Sequence, residues 1–139
     1  MENDFKSWLA RAKSSLAISK NKSDDDIYYE DLCFQAQQAV EKALKALLIF
    51  YSVEPEKTHN LVSLAKTLSK YTDVPEEINE AVILNDYAVQ TRYPGAYTPI
   101  DEEEYNNAVT VAEKCVQWVE KKTKTLIKKY EENKNQSYL

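Results

Sequence analysis

The chain has 139 residues, a net charge of −5, one glycine and four prolines. This length suits one domain with a core of its own, and the shortage of turn-forming residues favours long helices. The negative charge excludes a general basic field for DNA binding, although a local basic patch stays possible. The longest apolar run, residues 46–51, is too short to span a bilayer, so we expect a cytoplasmic protein without membrane contact.

The two cysteines, Cys33 and Cys115, lie within apolar helical patterns and belong to no CxxC motif. One histidine, His59, is the only other nitrogen or sulfur ligand of the kind that zinc prefers, which is too few for a metal site. We therefore expect buried thiols in a reducing compartment, with no metal and no cofactor.

Apolar periodicity predicts two helices in the first part of the chain. The first begins near Asp4, and the second runs from about Ile27 to Tyr51 after a cap from the aspartates at 24–26. The apolar stripe of the second helix is broad, which predicts packing on more than one side. Its polar side is expected to be a solvated face, or else a helix interface or a reader of a base edge; it carries Gln35, Gln37, Gln38, Glu41, Lys42 and Lys45.

Two shorter helices are expected next. Thr58 is predicted to cap a third helix that runs from His59 to about Lys70. A fourth helix, with a capping box at Asp73 and Glu76 and with a proline in its first turn, is expected to end near position 90.

The last helix is predicted to start at a cap formed around Thr98 and Asp101 and to extend past the core to Tyr130. No segment has the alternating pattern of a strand. The sequence thus predicts an all-α fold, a single up-and-down-like bundle of about five helices in residues 1–132, with a frayed tail at 133–139.

Three motifs occur in order along this helical pattern: AQQAVEKALKALL at 36–48, THNL at 58–61 and YAVQTRYP at 87–94. Their order and spacing resemble the HEPN domain (higher eukaryotes and prokaryotes nucleotide-binding) over about residues 1–130. The resemblance implies a bundle of four to five helices that often forms homodimers. It also implies a nucleotidyltransferase as a possible partner, because many members form toxin–antitoxin pairs with one encoded beside them.

Many HEPN domains are metal-independent endoribonucleases that carry an arginine followed, after four to six residues, by a histidine. The histidine moves a proton and the arginine holds the scissile phosphate. Neither Arg92, followed by Tyr97, Thr98 and Pro99 at those positions, nor Arg11 meets this requirement. We therefore expect a member of the subgroup that lacks the arginine–histidine motif and has no catalytic residue.

The resemblance without the motif predicts a non-catalytic module that binds a nucleotide, RNA or a partner protein. Two alternatives stay open. One is a divergent ribonuclease that uses Arg92 with Tyr97 or His59, and the other is a purely structural interaction bundle.

Segment 85–97 contains the single glycine and one of the two arginines. Its proline and glycine are explained as a helix stop. Arg92 is not explained by a stop, so it is a candidate phosphate ligand, with a structural role at the helix end as the alternative. The neighbouring tyrosines are candidates for stacking on a base: Tyr87, Tyr93 and Tyr97.

Two further candidates lie at the corner between the second and third helices. Lys57 is a candidate phosphate contact, and His59 is either a ligand-binding residue or a packed, hydrogen-bonded histidine that fixes the corner.

Overall fold

The computed structural model describes residues 4–88 and 98–136 of the chain. No strand occurs in these ranges, so the all-α prediction is confirmed. The elements in chain order are α1 (Phe5–Ser19), α2 (Tyr29–Phe50), α3 (Leu61–Leu68), α4 (Glu76–Ala81), a 3₁₀ helix (Val82–Tyr87) and α5 (Glu102–Gln136).

Helix α2 forms the centre of the bundle. It packs most extensively against α1, then against α5, and it also contacts α3 and the 3₁₀ helix. The alanines that line it, such as Ala36 and Ala43, are fully buried and allow neighbouring helices to approach closely, while Leu44 and Leu47 fill the core between them. The predicted packing of this helix on more than one side is confirmed.

Tyr105 of α5 connects three helices at the end of the bundle where α1 ends and α2 begins. Its ring stacks on Tyr29 of α2 with 4.8 Å between the ring centroids, and its hydroxyl donates to the carbonyl of Ser19, at the end of α1, at 2.6 Å. Burial raises the pKa of Tyr105, so its hydroxyl stays protonated and remains a donor. Three helices thus meet at one aromatic side chain.

The N-caps of α1 and α2 can be compared with the helix starts that the sequence predicts. Helix α1 begins where the sequence predicts, near Asn3 or Asp4, and Asp4 is its N-cap, since its carboxylate accepts from the backbone N–H of Ser7 at 2.7 Å. The predicted aspartate cap of α2 is wrong, because the N-cap is Tyr28. Asp24 instead accepts from the N–H of Asp26 at 2.8 Å and closes the turn that precedes the helix.

Helix α3 begins two residues later than predicted. Asn60, and not Thr58, is its N-cap, and it accepts from the N–H groups of Val62 and Ser63 at 3.0 and 3.3 Å. The Thr58 hydroxyl lies in the loop before the helix and accepts from the N–H of Asn60 at 3.1 Å. His59 therefore lies in the loop before the helix and not in its first turn.

The predicted fourth helix is shorter and of two kinds. Its N-cap is Pro75 with no side-chain cap bond, so the predicted capping box of Asp73 and Glu76 is wrong. The α-helix ends at Ala81 and continues as the 3₁₀ helix to Tyr87. Position 90, where the sequence predicts the end, lies outside the described residues.

The last helix starts at Glu102 after a cap from Asp101, whose carboxylate accepts from the N–H of Glu104 at 2.8 Å. Thr98, the other predicted cap residue, precedes this turn. At the other end α5 continues to Gln136, so the last α-helical turns include part of the predicted tail, and residues 137–139 lie outside the described range.

The end of α2 contains a strained serine. The N–H groups of Ser52 and Val53 donate to the carbonyls of Ile49 and Leu48 at 2.8 and 2.9 Å, the pair of bonds that defines a Schellman ending. This ending needs a left-handed residue, and Ser52 supplies it with a φ of 63°. The position is one where glycine is normally found.

We expect Ser52→Gly to raise the free energy of unfolding by about 0.5–1 kcal/mol. A left-handed residue with a Cβ is strained by about 1–2 kcal/mol, and the extra freedom of glycine in the unfolded chain offsets part of the gain. Urea unfolding of the wild type, Ser52→Gly and the control Ser52→Ala checks this, since alanine keeps the Cβ. Equal midpoints for all three proteins would show that the turn is not strained.

Candidate functional site

A buried carboxylate, that of Glu41, lies near the middle of α2 with only 4% of the residue exposed. Its Oε1 is 2.9 Å from Nδ1 of His59 and accepts from Nε2 of Gln37 at 3.3 Å, while its Oε2 accepts from Nζ of Lys45 at 3.2 Å. Gln37, Glu41 and Lys45 are four residues apart, so they project from one face of the helix. This cluster of four side chains is called the Glu41 cluster below.

The solvated polar face predicted for α2 is wrong at the positions of this cluster. Gln37 has no exposed surface, and Lys45 is 8% exposed. Helix α1 covers one side: Nζ of Lys45 lies 5.7 Å from the ring centroid of Trp8, and Nζ of Lys42 donates to the buried hydroxyl of Ser15 at 2.8 Å. Burial lowers the pKa of Lys42, and the charge of nearby Arg11 adds to this effect.

The loop before α3 covers the other side through His59. Its carbonyl accepts from Nε2 of Gln37 at 3.1 Å, and the oxygen of Gln37 accepts from Gln38 at 2.8 Å. Backbone and side chain of His59 are therefore both joined to α2, as expected of the hydrogen-bonded alternative, and a ligand-binding role for His59 stays a prediction. The His59 side chain is nevertheless 72% exposed, so much of the imidazole faces solvent.

Lys57 lies two residues before His59 and is exposed. It makes no hydrogen bond or ion pair with another residue of the described ranges. Its ammonium group is thus free to contact an anion from solvent.

Tyr87 ends the 3₁₀ helix, and its hydroxyl donates to Oε2 of Glu104 in the first turn of α5 at 2.6 Å. A second bond, from the N–H of Ile100 to the Glu30 carboxylate at 2.9 Å, holds the chain just before α5 against α2. The other candidates of this segment, Arg92, Tyr93 and Tyr97, lie outside the described residues. The structure therefore fixes the two ends of the segment that carries Arg92.

Within residues 4–88 and 98–136, no group of three or more His, Cys, Asp or Glu side chains is arranged to hold a metal ion. In the same ranges no helix is long and apolar enough to cross a membrane. Cys33 and Cys115 are buried and form no disulfide, and burial raises the pKa of Cys115 to about 12.

The sequence model of the HEPN domain matches residues 5–122, which include all of α1 to α4 and most of α5. The chain belongs to the HEPN domain family. Two crystal structures of similar fold each match 86% of this HEPN chain and 98% of their own chain. One is ST0689, an archaeal HEPN homologue, with 26% identity and a TM-score of 0.68, and the other is TT1696 from Thermus thermophilus, with 31% identity and a TM-score of 0.74. No curated protein matches the chain significantly.

Membership confirms the resemblance drawn from the three motifs, and two of these motifs meet in the Glu41 cluster of this HEPN domain. The first motif supplies Gln37, Glu41 and Lys45, and the second supplies His59. Sequence inspection misses their contact because Glu41 and His59 are 18 residues apart and the path of the loop decides their distance. The available signal is the spacing by four of Gln37, Glu41 and Lys45, which places three polar side chains on one face of α2.

We expect Glu41→Gln to lower the free energy of unfolding by about 3 kcal/mol. The substitution keeps the shape of the side chain but leaves the buried ammonium of Lys45 without its counter-charge. The matched control is Glu113→Gln, which removes a surface pair with Lys20 at 2.8 Å and should change stability by less than about 1 kcal/mol. Urea unfolding measures both, and equal effects would contradict a structural role for the Glu41 cluster.

Proposed function

We propose that this HEPN domain is a binding module for a nucleotide, RNA or a partner protein and that it does not cut RNA. The observation that carries the proposal is the engagement of His59, the single histidine of the chain, with the Glu41 carboxylate at a corner of the fold. The sequence adds that neither arginine stands at the ribonuclease spacing from a histidine. A histidine that is joined to a structural carboxylate and has no arginine at the ribonuclease spacing supports a non-catalytic role.

In this proposal the phosphate contact comes from Arg92, with the tyrosines of the same segment available to stack on a base. Anchoring supports it: the bonds of Tyr87 with Glu104 and of Ile100 with Glu30 hold the described chain on both sides of residues 89–97. Exposed Lys57 is a further cation for the same class of ligand.

The partner protein that we propose is a nucleotidyltransferase, in a toxin–antitoxin-type pair in the cytoplasm. Family membership supports this partner, and the two buried thiols, which form no disulfide, suit a reducing compartment. Co-expression with an enzyme encoded beside this chain tests the pair: a complex that survives size-exclusion chromatography supports it, and separate elution of the two proteins contradicts it.

The second candidate function is a divergent ribonuclease, and one observation favours it. The Glu41 carboxylate orients the His59 ring through Nδ1, while the side chain remains 72% exposed. A carboxylate-oriented, solvent-facing imidazole is the arrangement that general bases use. A direct cleavage assay separates the two functions.

We expect the purified protein to leave single-stranded RNA intact in the absence of metal ions. The test incubates labelled RNA with the wild type, His59→Gln and Arg92→Ala, with chelator present throughout. Cleavage by the wild type that disappears in His59→Gln would establish the ribonuclease. Cleavage that is equal in all three samples would identify a contaminating nuclease and leave the binding module in place.

We expect Arg92→Lys to weaken the binding of short RNA nearly as much as Arg92→Ala does. Arginine can bind a phosphate through two parallel bonds and lysine cannot, and each charge-assisted bond lost lowers affinity by about 1.5–3 kcal/mol, roughly ten- to a hundredfold. Anisotropy of a labelled oligonucleotide gives the affinity, and melting curves show whether the fold changes. Unchanged affinity in both variants would remove Arg92 from the site, and a large drop in melting temperature would make it a structural residue.

We also propose a two-fold homodimer. The broad apolar stripe of α2 is covered within the chain and does not support it. Its support is membership of a family whose members often pair, and the exposed side chains of Ile18 (49%) and Ile83 (55%) are candidate contacts.

We expect light scattering at tens of micromolar, a rough range in which modest affinities are visible, to give twice the mass of the chain. Ile18→Lys and Ile83→Lys test which surface is used, because a charge at a buried interface weakens association. A monomer mass for the wild type would contradict the dimer.

A further inference from the structure

A pocket of about 500 Å³ lies beside the Glu41 cluster, between α1, the end of α2 and the loop that follows α2. Its walls are Trp8, Lys45, Ile49 and residues 52–57. The volume is within the range of small-molecule sites, about 300–1,000 Å³. None of the three motifs that define the family resemblance predicts this pocket.

Two lysine ammonium groups line the pocket, those of Lys45 and Lys57. Lys45 is only 8% exposed and uses one N–H on Glu41, so its ammonium keeps further donors for a ligand. Lys57 stands on the same pocket wall without a partner in the described part of the chain. The buried Glu41 carboxylate balances the charge of Lys45, so Lys45 contributes hydrogen-bond donors and Lys57 contributes the positive charge that has no counter-charge beside it.

Two carboxylates also line the pocket, those of Glu54 and Glu56, and neither forms an ion pair with these lysines in the described part of the chain. Glu56 accepts from the hydroxyls of Ser63 and Thr67 at 3.2 and 3.1 Å, which directs its charge to α3. Glu54 is exposed and its charge is screened by water and salt. The donors that remain for a ligand are therefore the ammonium groups of Lys45 and Lys57, which suit an anionic group.

The remaining wall is apolar and contains one indole N–H that lacks a hydrogen-bond acceptor in the described part of the chain. Ile49, Val53 and Pro55 face the pocket together with the indole of Trp8. The indole N–H is buried and has no acceptor within the described residues, and the strained Ser52 lies at the pocket edge. Buried unpaired polar atoms and left-handed non-glycine residues are concentrated at binding sites.

We propose that this pocket binds a small anion with a flat apolar part, whose carboxylate or phosphate contacts Lys45 and Lys57 and whose flat part lies against the Trp8 wall. A mononucleotide and an aromatic carboxylate share this chemistry. For a nucleotide ligand the site deepens the proposed function and rests on it: it shares Lys57 with that proposal but includes neither Arg92 nor Tyr87.

The experiment uses the fluorescence of Trp8 in the full chain with Trp118→Phe, which removes the other tryptophan. The probes are adenosine monophosphate, benzoate, adenosine and inorganic phosphate. We expect a saturable change with adenosine monophosphate or benzoate, and at least tenfold weaker binding of adenosine and phosphate, because each of these lacks one half of the ligand. The stronger of the first two probes identifies the source, a nucleotide or an aromatic acid.

Two variants test the site from different sides. Lys57→Gln should lower the affinity for the probe about tenfold because a positive charge is removed. Ile49→Phe should lower the affinity because the larger side chain fills the pocket. The control Lys66→Gln makes the same change of charge on α3, outside the pocket lining, and should bind like the parent. Melting curves show that each variant is folded.

No saturable signal with any probe would overturn the proposal, as would equal affinity in the two pocket variants and the control. Arg92→Ala should leave this signal unchanged even where it weakens RNA binding. Loss of the Trp8 signal in Arg92→Ala but not in Lys57→Gln would assign the ligand to the arginine segment and would also overturn the pocket. Failure of the pocket and failure of the proposed function are thus distinguishable.

Discussion

A carboxylate inside a protein must be paired and hydrogen-bonded, because an isolated buried charge is strongly unfavourable. In this HEPN domain the requirement falls on Glu41, at the centre of the helix against which most of the bundle packs. Lys45 satisfies it from the same helix, and His59 satisfies it from a loop. The position of that loop, and of the pocket beside it, therefore depends on an electrostatic constraint within the core.

The Glu41 cluster connects the core to the pocket wall and to the solvent-exposed corner before α3. Lys45 belongs at once to the buried cluster and to the pocket wall, and His59 belongs to the cluster while exposing most of its ring. Buried ion pairs contribute little net stability compared with apolar side chains of the same size, so their presence calls for another reason. In this domain the cluster fixes the position of Lys45 at the pocket wall and of His59 at the corner before α3.

Sequence periodicity predicts the five helices well, because burial of an apolar face is a property of the helix itself. Capping is predicted less well: Thr58 and Asn60 both offer a suitable oxygen, and only the path of the chain decides that Asn60 caps α3. The Glu41 cluster is not predicted, since a polar stripe on a helix has the same pattern whether water or a loop covers it. The candidate Arg92 stays a prediction from sequence, as it lies outside the described residues.

The bonds of Tyr87 with Glu104 and of Ile100 with Glu30 fasten the chain on both sides of residues 89–97. A segment clamped at its base is thermodynamically separable from the body that carries it, because lengthening such a loop adds little closure entropy, about 0.6 kcal/mol for each doubling. Changes in the length of the connection between these two anchors therefore add little to the free energy of folding, and the bundle has room there for connections of different length.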